Sequence, residues 1–169
     1  MTEIRTFGEI DGTPVEEIVL RSPGGATASI LTIGAAIRDL RVPVGDGSRR
    51  VVLGYETIAG YRDNPHHLGV MVGRCANRIG GGRFRLDGRE HRLIRNEADR
   101  TTLHGGPQGF GKRIWRIVEA EADTVELALT SEDGDQGFPG RAEVRCRYRL
   151  TEAATLEITA SATTDAPTP

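Results

Sequence analysis

The sequence contains little cysteine and little lysine, and the spacing of its cysteines excludes two kinds of site. It has 2 cysteines in 169 residues. These are Cys75 and Cys146, which lie far apart without Cys-x-x-Cys spacing, so neither a metal site nor a redox motif is indicated. Nothing marks an oxidising compartment, and both are therefore predicted to be free thiols. Lys112 is the single lysine, so arginine supplies the remaining positive charge of the side chains.

Long apolar runs are also missing. No stretch approaches the roughly 20 apolar residues that a membrane helix needs. The amino terminus mixes acidic with apolar residues and does not resemble a secretory signal. A net charge of -2 and a pI near 6.1 give the molecule no electrostatic attraction to nucleic acid or to an anionic membrane. We expect a cytoplasmic protein with neither of these as a partner.

Alternation of apolar and polar residues dominates the chain, and no helical period is sustained, which predicts an all-β fold in a single domain over residues 1–169. Short helical turns are predicted only at Glu56–Tyr61 and just before Gly73. The polar tail from Thr163 onward is interpreted as a linker or frayed end. The predicted strands are Val15–Arg21, Ala26–Ile33, Arg38–Val42, Arg50–Gly54, both halves of Phe84–Leu93 about a turn at Asp87-Gly88, Arg113–Glu121, Thr124–Thr130, Glu143–Leu150 and Thr155–Thr163.

Asn77 and Arg78 are the first candidates for binding chemistry, because they stand beside a run of three glycines that would let a ligand approach the backbone. An amide next to a guanidinium offers several hydrogen-bond donors and one acceptor, a set suited to neighbouring sugar hydroxyls. The other interpretation is structural: an arginine that bridges two loops beside an asparagine that caps a turn.

His104 is the second candidate, since it lies between an aliphatic residue and two glycines and could present its imidazole to a cleft. A histidine that only satisfies the surrounding structure is the alternative. His66 and His67 are adjacent in a loop and cannot chelate one metal together. They are interpreted as solvated, with the alternative that one of them lines the mouth of the cleft. The carboxylates of Asp133–Gly140 lack the spacing of a calcium loop and are expected to stabilise a turn. We predict no metal site and no cofactor.

A run of arginines could bind phosphates, which makes a nucleic-acid-binding β domain a further candidate. Only Phe84 interleaves with the run as an aromatic, whereas base stacking normally needs more such residues. A solvated hairpin face is the simpler interpretation. The run consists of Arg74, Arg78, Arg83, Arg85, Arg89, Arg92 and Arg95.

Several ordered motifs together resemble the aldose 1-epimerase (galactose mutarotase) family. They are Gly69–Phe84, Asp87-Gly88, Asn96, Leu103–Trp115 and Ser131–Gly140. The resemblance implies a truncated antiparallel β-sandwich of the galactose mutarotase type. It also implies an isomerase of carbohydrate metabolism that interconverts the α and β anomers of an aldohexose such as galactose or glucose, with no cofactor. Asn77, Arg78 and His104 match substrate-binding positions of the family.

The same resemblance places the family's catalytic histidine and glutamate beyond Pro169. We therefore expect that this chain contains no catalytic residue and is a fragment with little or no activity. A noncatalytic monosaccharide-binding module is the alternative. Half of a sandwich would leave strand edges without partners, so we also expect self-association or aggregation. A sharp monomer peak in size-exclusion chromatography with cooperative melting would count against that expectation.

Overall fold

The computed structural model describes residues 2–169. Its first sheet is built from the first five strands, which pair antiparallel in chain order. Arg21 ends the second strand and pairs with Thr27, which confirms the predicted hairpin across the turn at Ser22–Gly25. The strands are β1 Glu3–Ile10, β2 Thr13–Arg21, β3 Thr27–Leu31, β4 Ala36–Val44 and β5 Gly47–Arg50.

The second sheet contains the last four strands, also antiparallel and in chain order. Its third strand shows why this sequence forms a half-buried strand: Ala142, Val144, Cys146, Tyr148 and Leu150 are buried, and the residues between them point outward. The outward arginines of that strand pair with carboxylates of the other three strands of the sheet. The strands are β10 Arg116–Ala120, β11 Thr124–Ser131, β12 Ala142–Leu150 and β13 Leu156–Thr164.

The two sheets pack against each other around one apolar core. Ile18 and Leu20 of β2 lie in the same buried cluster as Leu127 of β11 and Tyr148 of β12. Full burial of each such aliphatic side chain is worth roughly 1.5–3 kcal/mol. The Tyr148 hydroxyl donates to the carbonyl of Ala35 at 2.5 Å and so satisfies its polar end across the core. This arrangement agrees with the predicted β-sandwich.

Between β5 and β10 in sequence, the chain forms short elements that carry the candidate site. One helix, α1, spans Ile58–Asp63, and a 3-10 turn spans Phe110–Lys112. No helix in residues 2–169 is long and apolar enough to span a membrane. The four short strands form two separate pairs, β6 with β9 and β7 with β8. They are β6 Arg78–Gly80, β7 Arg83–Leu86, β8 Arg89–Arg92 and β9 Thr101–Leu103.

Three local predictions need correction. β5 spans Gly47–Arg50 rather than Arg50–Gly54, because a two-residue turn between Val44 and Gly47 returns the chain at once. No helix precedes Gly73, where the chain is extended or bent. The tail does not fray, since the Arg74 guanidinium donates to the Thr168 hydroxyl at 3.1 Å and the Arg141 amide donates to the Asp165 carboxylate at 2.7 Å.

Strand β13 forms one edge of the second sheet and is exposed over nearly its whole length. Its alternate residues Ala160 and Ala162 face the core side, where they line a cavity of about 270 Å³ together with Met71, Phe110 and Val144. The apolar surface of this sheet is therefore less completely covered at β13 than at β11, most of whose residues are buried.

Candidate functional site

Pairing between β6 and β9 brings the three predicted site residues together. Arg78 is opposite Leu103 in this ladder, so Asn77 and His104 meet at its end. The His104 amide donates to the Asn77 carbonyl at 3.0 Å, and the Asn77 amide donates to Nδ1 of the His104 ring at 3.1 Å. Both residues have left-handed backbone, with φ of 61° and 51°. A reciprocal pair of hydrogen bonds thus fixes the imidazole beside the asparagine.

Arg78 is held by a carboxylate that the sequence did not single out. Its Nε donates to one oxygen of Glu97 and its Nη2 to the other, each at 2.6 Å, and its Nη1 donates to the Asn77 side-chain carbonyl at 3.1 Å. The Arg78 side chain remains 53% exposed. The guanidinium is therefore oriented by two neighbours and still accessible to a ligand.

These contacts stabilise the ionised form of the Glu97 carboxyl group. The hydrogen bonds from Arg78, and then from the Thr101 hydroxyl at 2.7 Å, lower the pKa of Glu97 to about 2. No sequence pattern links Glu97 to Arg78, since they are 19 residues apart with the β7–β8 hairpin between them. Contact across a folded loop is the only signal that identifies this partner.

Close approach of two backbones explains one of the glycines after His104. Gly105 has φ of +85°, and a Cβ added there would lie 1.6 Å from the Gly73 carbonyl oxygen. Any side chain at this position would push the His104 loop away from the segment that leads to Asn77. The sequence indicated that the glycines after His104 leave its imidazole free to face a cleft, whereas Gly105 is required for packing of the chain against itself.

Asn96 and His67 complete the surroundings of His104. The Asn96 side chain accepts from the Leu103 amide at 2.7 Å and donates to the Leu103 carbonyl at 3.1 Å, which fixes the residue before His104. The interpretation of His67 as a solvated loop residue is wrong: its ring is half-buried and lies 4.5 Å from the His104 ring, centroid to centroid. His66 is exposed, as expected. The cavity that His67, Asn96 and His104 line with Lys112 holds only about 50 Å³.

The arginine run divides into members with different surroundings. Arg74 turns into the molecule, where it donates to the Ser131 hydroxyl at 3.0 Å and to the Pro139 carbonyl at 2.7 Å. Burial is the main cause that lowers the pKa of Arg74. Arg92 and Arg95 pair with acidic neighbours on the hairpin side. Apart from Arg78, described above, the remaining members lie on β7 and β8 and are exposed, namely Arg83, Arg85 and Arg89.

The turn at Asp133–Gly140 has the structural role that its composition predicted. The Asp133 carboxylate accepts from the Gly140 amide at 2.6 Å, and the Asp135 carboxylate accepts from Arg113 at 2.7 Å and from the Ser131 hydroxyl at 2.6 Å. Both cysteines are free, which confirms that prediction. Among residues 2–169 no three His, Cys, Asp or Glu side chains cluster so as to hold a metal ion.

Comparison with known proteins assigns this chain to one family. The family model for aldose 1-epimerase matches residues 16–169. The chain belongs to the aldose 1-epimerase family. It is 41% identical to an aldose 1-epimerase of Escherichia coli K12 over 94% of its own length and 46% of that protein. It is 37% identical to a galactose mutarotase of Rattus norvegicus, with 85% and 42% covered.

A solved structure supports the family assignment at the level of the fold. An aldose epimerase homologue from C. elegans superposes with a TM-score of 0.84 at 32% identity, over 90% of this chain and 47% of that one. The predicted antiparallel fold of the galactose mutarotase type is thereby confirmed. The chain spans about half the length of the curated relatives that it matches.

Proposed function

We propose that this aldose 1-epimerase-family chain binds an aldohexose, galactose or glucose, through Asn77, Arg78 and His104, and has little or no anomer-interconverting activity of its own. The observation that carries the proposal is the fixed guanidinium of Arg78, which Glu97 grips with both carboxylate oxygens beside Asn77 and His104. The names of the relatives, an aldose 1-epimerase and a galactose mutarotase, supply the class of ligand.

The three side chains form a surface rich in hydrogen-bond donors. Arg78 keeps guanidinium N–H groups beyond those bound to Glu97 and Asn77, and the Asn77 amide nitrogen adds two more. His104 accepts at Nδ1, so its neutral ring carries a proton on Nε2. Ring and hydroxyl oxygens of a pyranose accept such donors. Since the cavity beside His104 is about 50 Å³, the sugar ring lies over the exposed face and inserts no more than a hydroxyl.

Anomer interconversion requires two further groups. A base removes the proton from the C1 hydroxyl while an acid protonates the ring oxygen. The bond from C1 to the ring oxygen breaks, and the open aldehyde rotates about C1–C2 before it closes on the other face. A useful base has a pKa near the working pH. Glu97, the carboxylate beside Arg78, has a pKa of about 2 and is already bound to Arg78 and Thr101, so it is unsuited to that role.

Two measurements test the proposal on the intact chain. Isothermal titration calorimetry with galactose and with glucose reports binding, and polarimetry of freshly dissolved α-galactose reports interconversion. We expect measurable binding with a mutarotation rate close to that of buffer. Because hydrogen bonds to a charged group contribute more than neutral ones, Arg78→Ala is expected to weaken binding about 10- to 100-fold.

Arg89→Ala is the matched control, since Arg89 is an exposed arginine of β8. Equal binding by Arg78→Ala and Arg89→Ala would contradict the assigned site. A mutarotation rate well above that of buffer, abolished by His104→Ala, would contradict the low activity. Binding without any rate effect even at high protein concentration favours the noncatalytic monosaccharide-binding module.

A further inference from the structure

The ring of His104 is held in one orientation by the backbone. Its Nδ1 accepts the Asn77 amide proton at 3.1 Å, so this nitrogen is unprotonated and the neutral imidazole carries its hydrogen on Nε2. No group within residues 2–169 forms a hydrogen bond with Nε2. The hydrogen bond to Nδ1 sets the tautomer, but a single contact leaves the ring free to tilt about it. A second contact is needed to set the direction of the Nε2–H bond.

His67 supplies that second contact. Its ring lies 4.5 Å from the His104 ring with 68° between the two planes, an edge-on geometry in which the positive edge of one ring meets the face of the other. Burial first, and then the charge of His104 when that ring is protonated and the positive charge of Lys112, lower the pKa of His67 below its ordinary value. His67 is therefore neutral at pH 7, and the two rings meet as neutral imidazoles.

The loop that carries His67 is anchored on both sides. Asn64 is buried, and its side-chain oxygen accepts from the Leu68 amide at 2.8 Å while its carbonyl accepts from the His67 amide at 3.2 Å. Lys112 donates to the carbonyls of Arg62 and Asp63 at the end of α1, which ties this loop to the turn after His104. The position of the His67 ring is thus determined by the fold.

We propose that His67 is a positioning residue of the sugar site: its edge-on ring holds His104 so that the Nε2–H bond faces the ligand. This inference rests on the function proposed above and adds a residue to it. His67 acts through His104 and is not assigned a contact with the reacting atoms.

Acid is expected to release this contact. The titratable groups that face His67 are His104, from the loop after β9, and Lys112, from the 3-10 turn. Neither supplies a negative charge, and Glu97, the carboxylate near His104, is bound to Arg78. A proton on His67 therefore places a second positive charge near Lys112 without a free carboxylate to offset it. Since the folded pKa of His67 lies below the ordinary value near 6.5, sugar affinity falls as the pH drops below about 6.5.

Three variants separate the contribution of the His67 ring from the contributions of its charge and of its backbone conformation. His67→Asn removes the ring but tolerates the left-handed φ of 52° at this position. His67→Tyr keeps an aromatic edge that does not titrate below pH 7. His66→Asn is the matched control, because His66 is the exposed neighbour.

Galactose affinity is measured by calorimetry at pH 7.5 and pH 5.0. We expect His67→Asn to weaken binding about 2- to 12-fold at pH 7.5, the range that an edge-to-face aromatic pair is worth. A bulky side chain is less favourable at this φ, so His67→Tyr is expected to bind more tightly than His67→Asn at pH 7.5 without equalling the unaltered chain, and to lose less affinity than the unaltered chain at pH 5.0. His66→Asn is expected to match the unaltered chain at both pH values.

A second readout is independent of sugar. The ¹⁵N resonances of the His104 imidazole shift and broaden when the ring samples several tilts, and His67→Asn is expected to shift and broaden them while the hydrogen bond from Asn77 keeps the tautomer. Binding by His67→Asn equal to that by His66→Asn, with unchanged His104 shifts, overturns the role of His67 alone. If the unaltered chain binds neither galactose nor glucose, the proposed function fails, and the positioning of a sugar-binding His104 fails with it.

Discussion

The two large sheets and the segment from Gly73 to Lys112 are held together by different forces. In the sheets, apolar side chains from β2, β11 and β12 meet in one buried cluster. In the segment, the residues of the candidate site are mostly exposed, and their geometry comes from hydrogen bonds, an ion pair and left-handed backbone. Stability and site geometry are therefore separable in this molecule, and they respond to different substitutions.

Trp115→Ala should produce the largest loss of stability. The Trp115 side chain is 1% exposed, packs edge-on to Phe110 and donates from Nε1 to the Phe110 carbonyl at 3.1 Å. Truncation of such a residue costs about 3–5 kcal/mol through the lost burial and the cavity that remains. Urea unfolding monitored by far-ultraviolet circular dichroism measures the change. Val118→Ala, at a 39% exposed position of β10, is the control. A Trp115→Ala loss no larger than that of Val118→Ala would contradict the assignment of this residue to the core.

Gly105→Ala should act on the site more than on the sheets. The new Cβ would meet the Gly73 carbonyl oxygen, so the His104 loop has to move. We expect a smaller loss of stability, about 2–3 kcal/mol, together with loss of the hydrogen bond between Asn77 and His104. Amide NMR shifts of Asn77 and His104 report that contact.

Gly12→Ala separates the two causes in Gly105→Ala. Gly12 has a similar φ of +79° with nothing near the added Cβ. It therefore shows the cost of left-handed backbone without the clash. Equal losses in Gly12→Ala and Gly105→Ala, with unchanged Asn77 and His104 shifts, would show that the close approach to Gly73 has no effect on the site.

Glu97→Gln should have the smallest effect on folding and a visible effect on the site. The folded pKa of about 2 lies below the ordinary value of 4.5, so the folded chain binds fewer protons than the unfolded chain between these values. The stabilising contribution of Glu97 is therefore present above pH 4.5 and is lost as the pH falls toward 2.

The carboxyl ¹³C shift of Glu97 should titrate with a midpoint near 2. In Glu97→Gln the guanidinium of Arg78 loses its charged partner, and we expect sugar affinity to fall about 2- to 5-fold at pH 7.5. A carboxyl midpoint near the ordinary value would show that the ion pair with Arg78 does not form in solution.

The sheets were predictable because their signal is local. The strict alternation from Ala142 to Leu150 and the Asp87-Gly88 turn, whose residues both have positive φ, identified β12 and the β7–β8 hairpin directly. β1 escaped prediction because apolar and charged residues alternate poorly along Glu3–Ile10. β6 and β9 have only three residues each, too few to show a period.

The site was predictable only as far as motifs reached. The family motifs indicated Asn77, Arg78 and His104, which the fold places side by side. The partners that orient them, Glu97 and His67, could not be found from sequence, because each contact joins loops that only tertiary structure brings together. A histidine next to another histidine in a loop carries no sign of which ring turns inward.

The single lysine gives this protein an unusual chemical handle. Lys112 is the one side-chain amine. It donates hydrogen bonds to the last carbonyls of α1, and burial lowers its pKa. Acylating reagents therefore have one side-chain amine to modify, and its reaction rate depends on its lowered pKa and on how often its hydrogen bonds to the end of α1 open. The chain thus carries a built-in reporter of local opening next to the candidate site, readable by mass spectrometry without any engineered label.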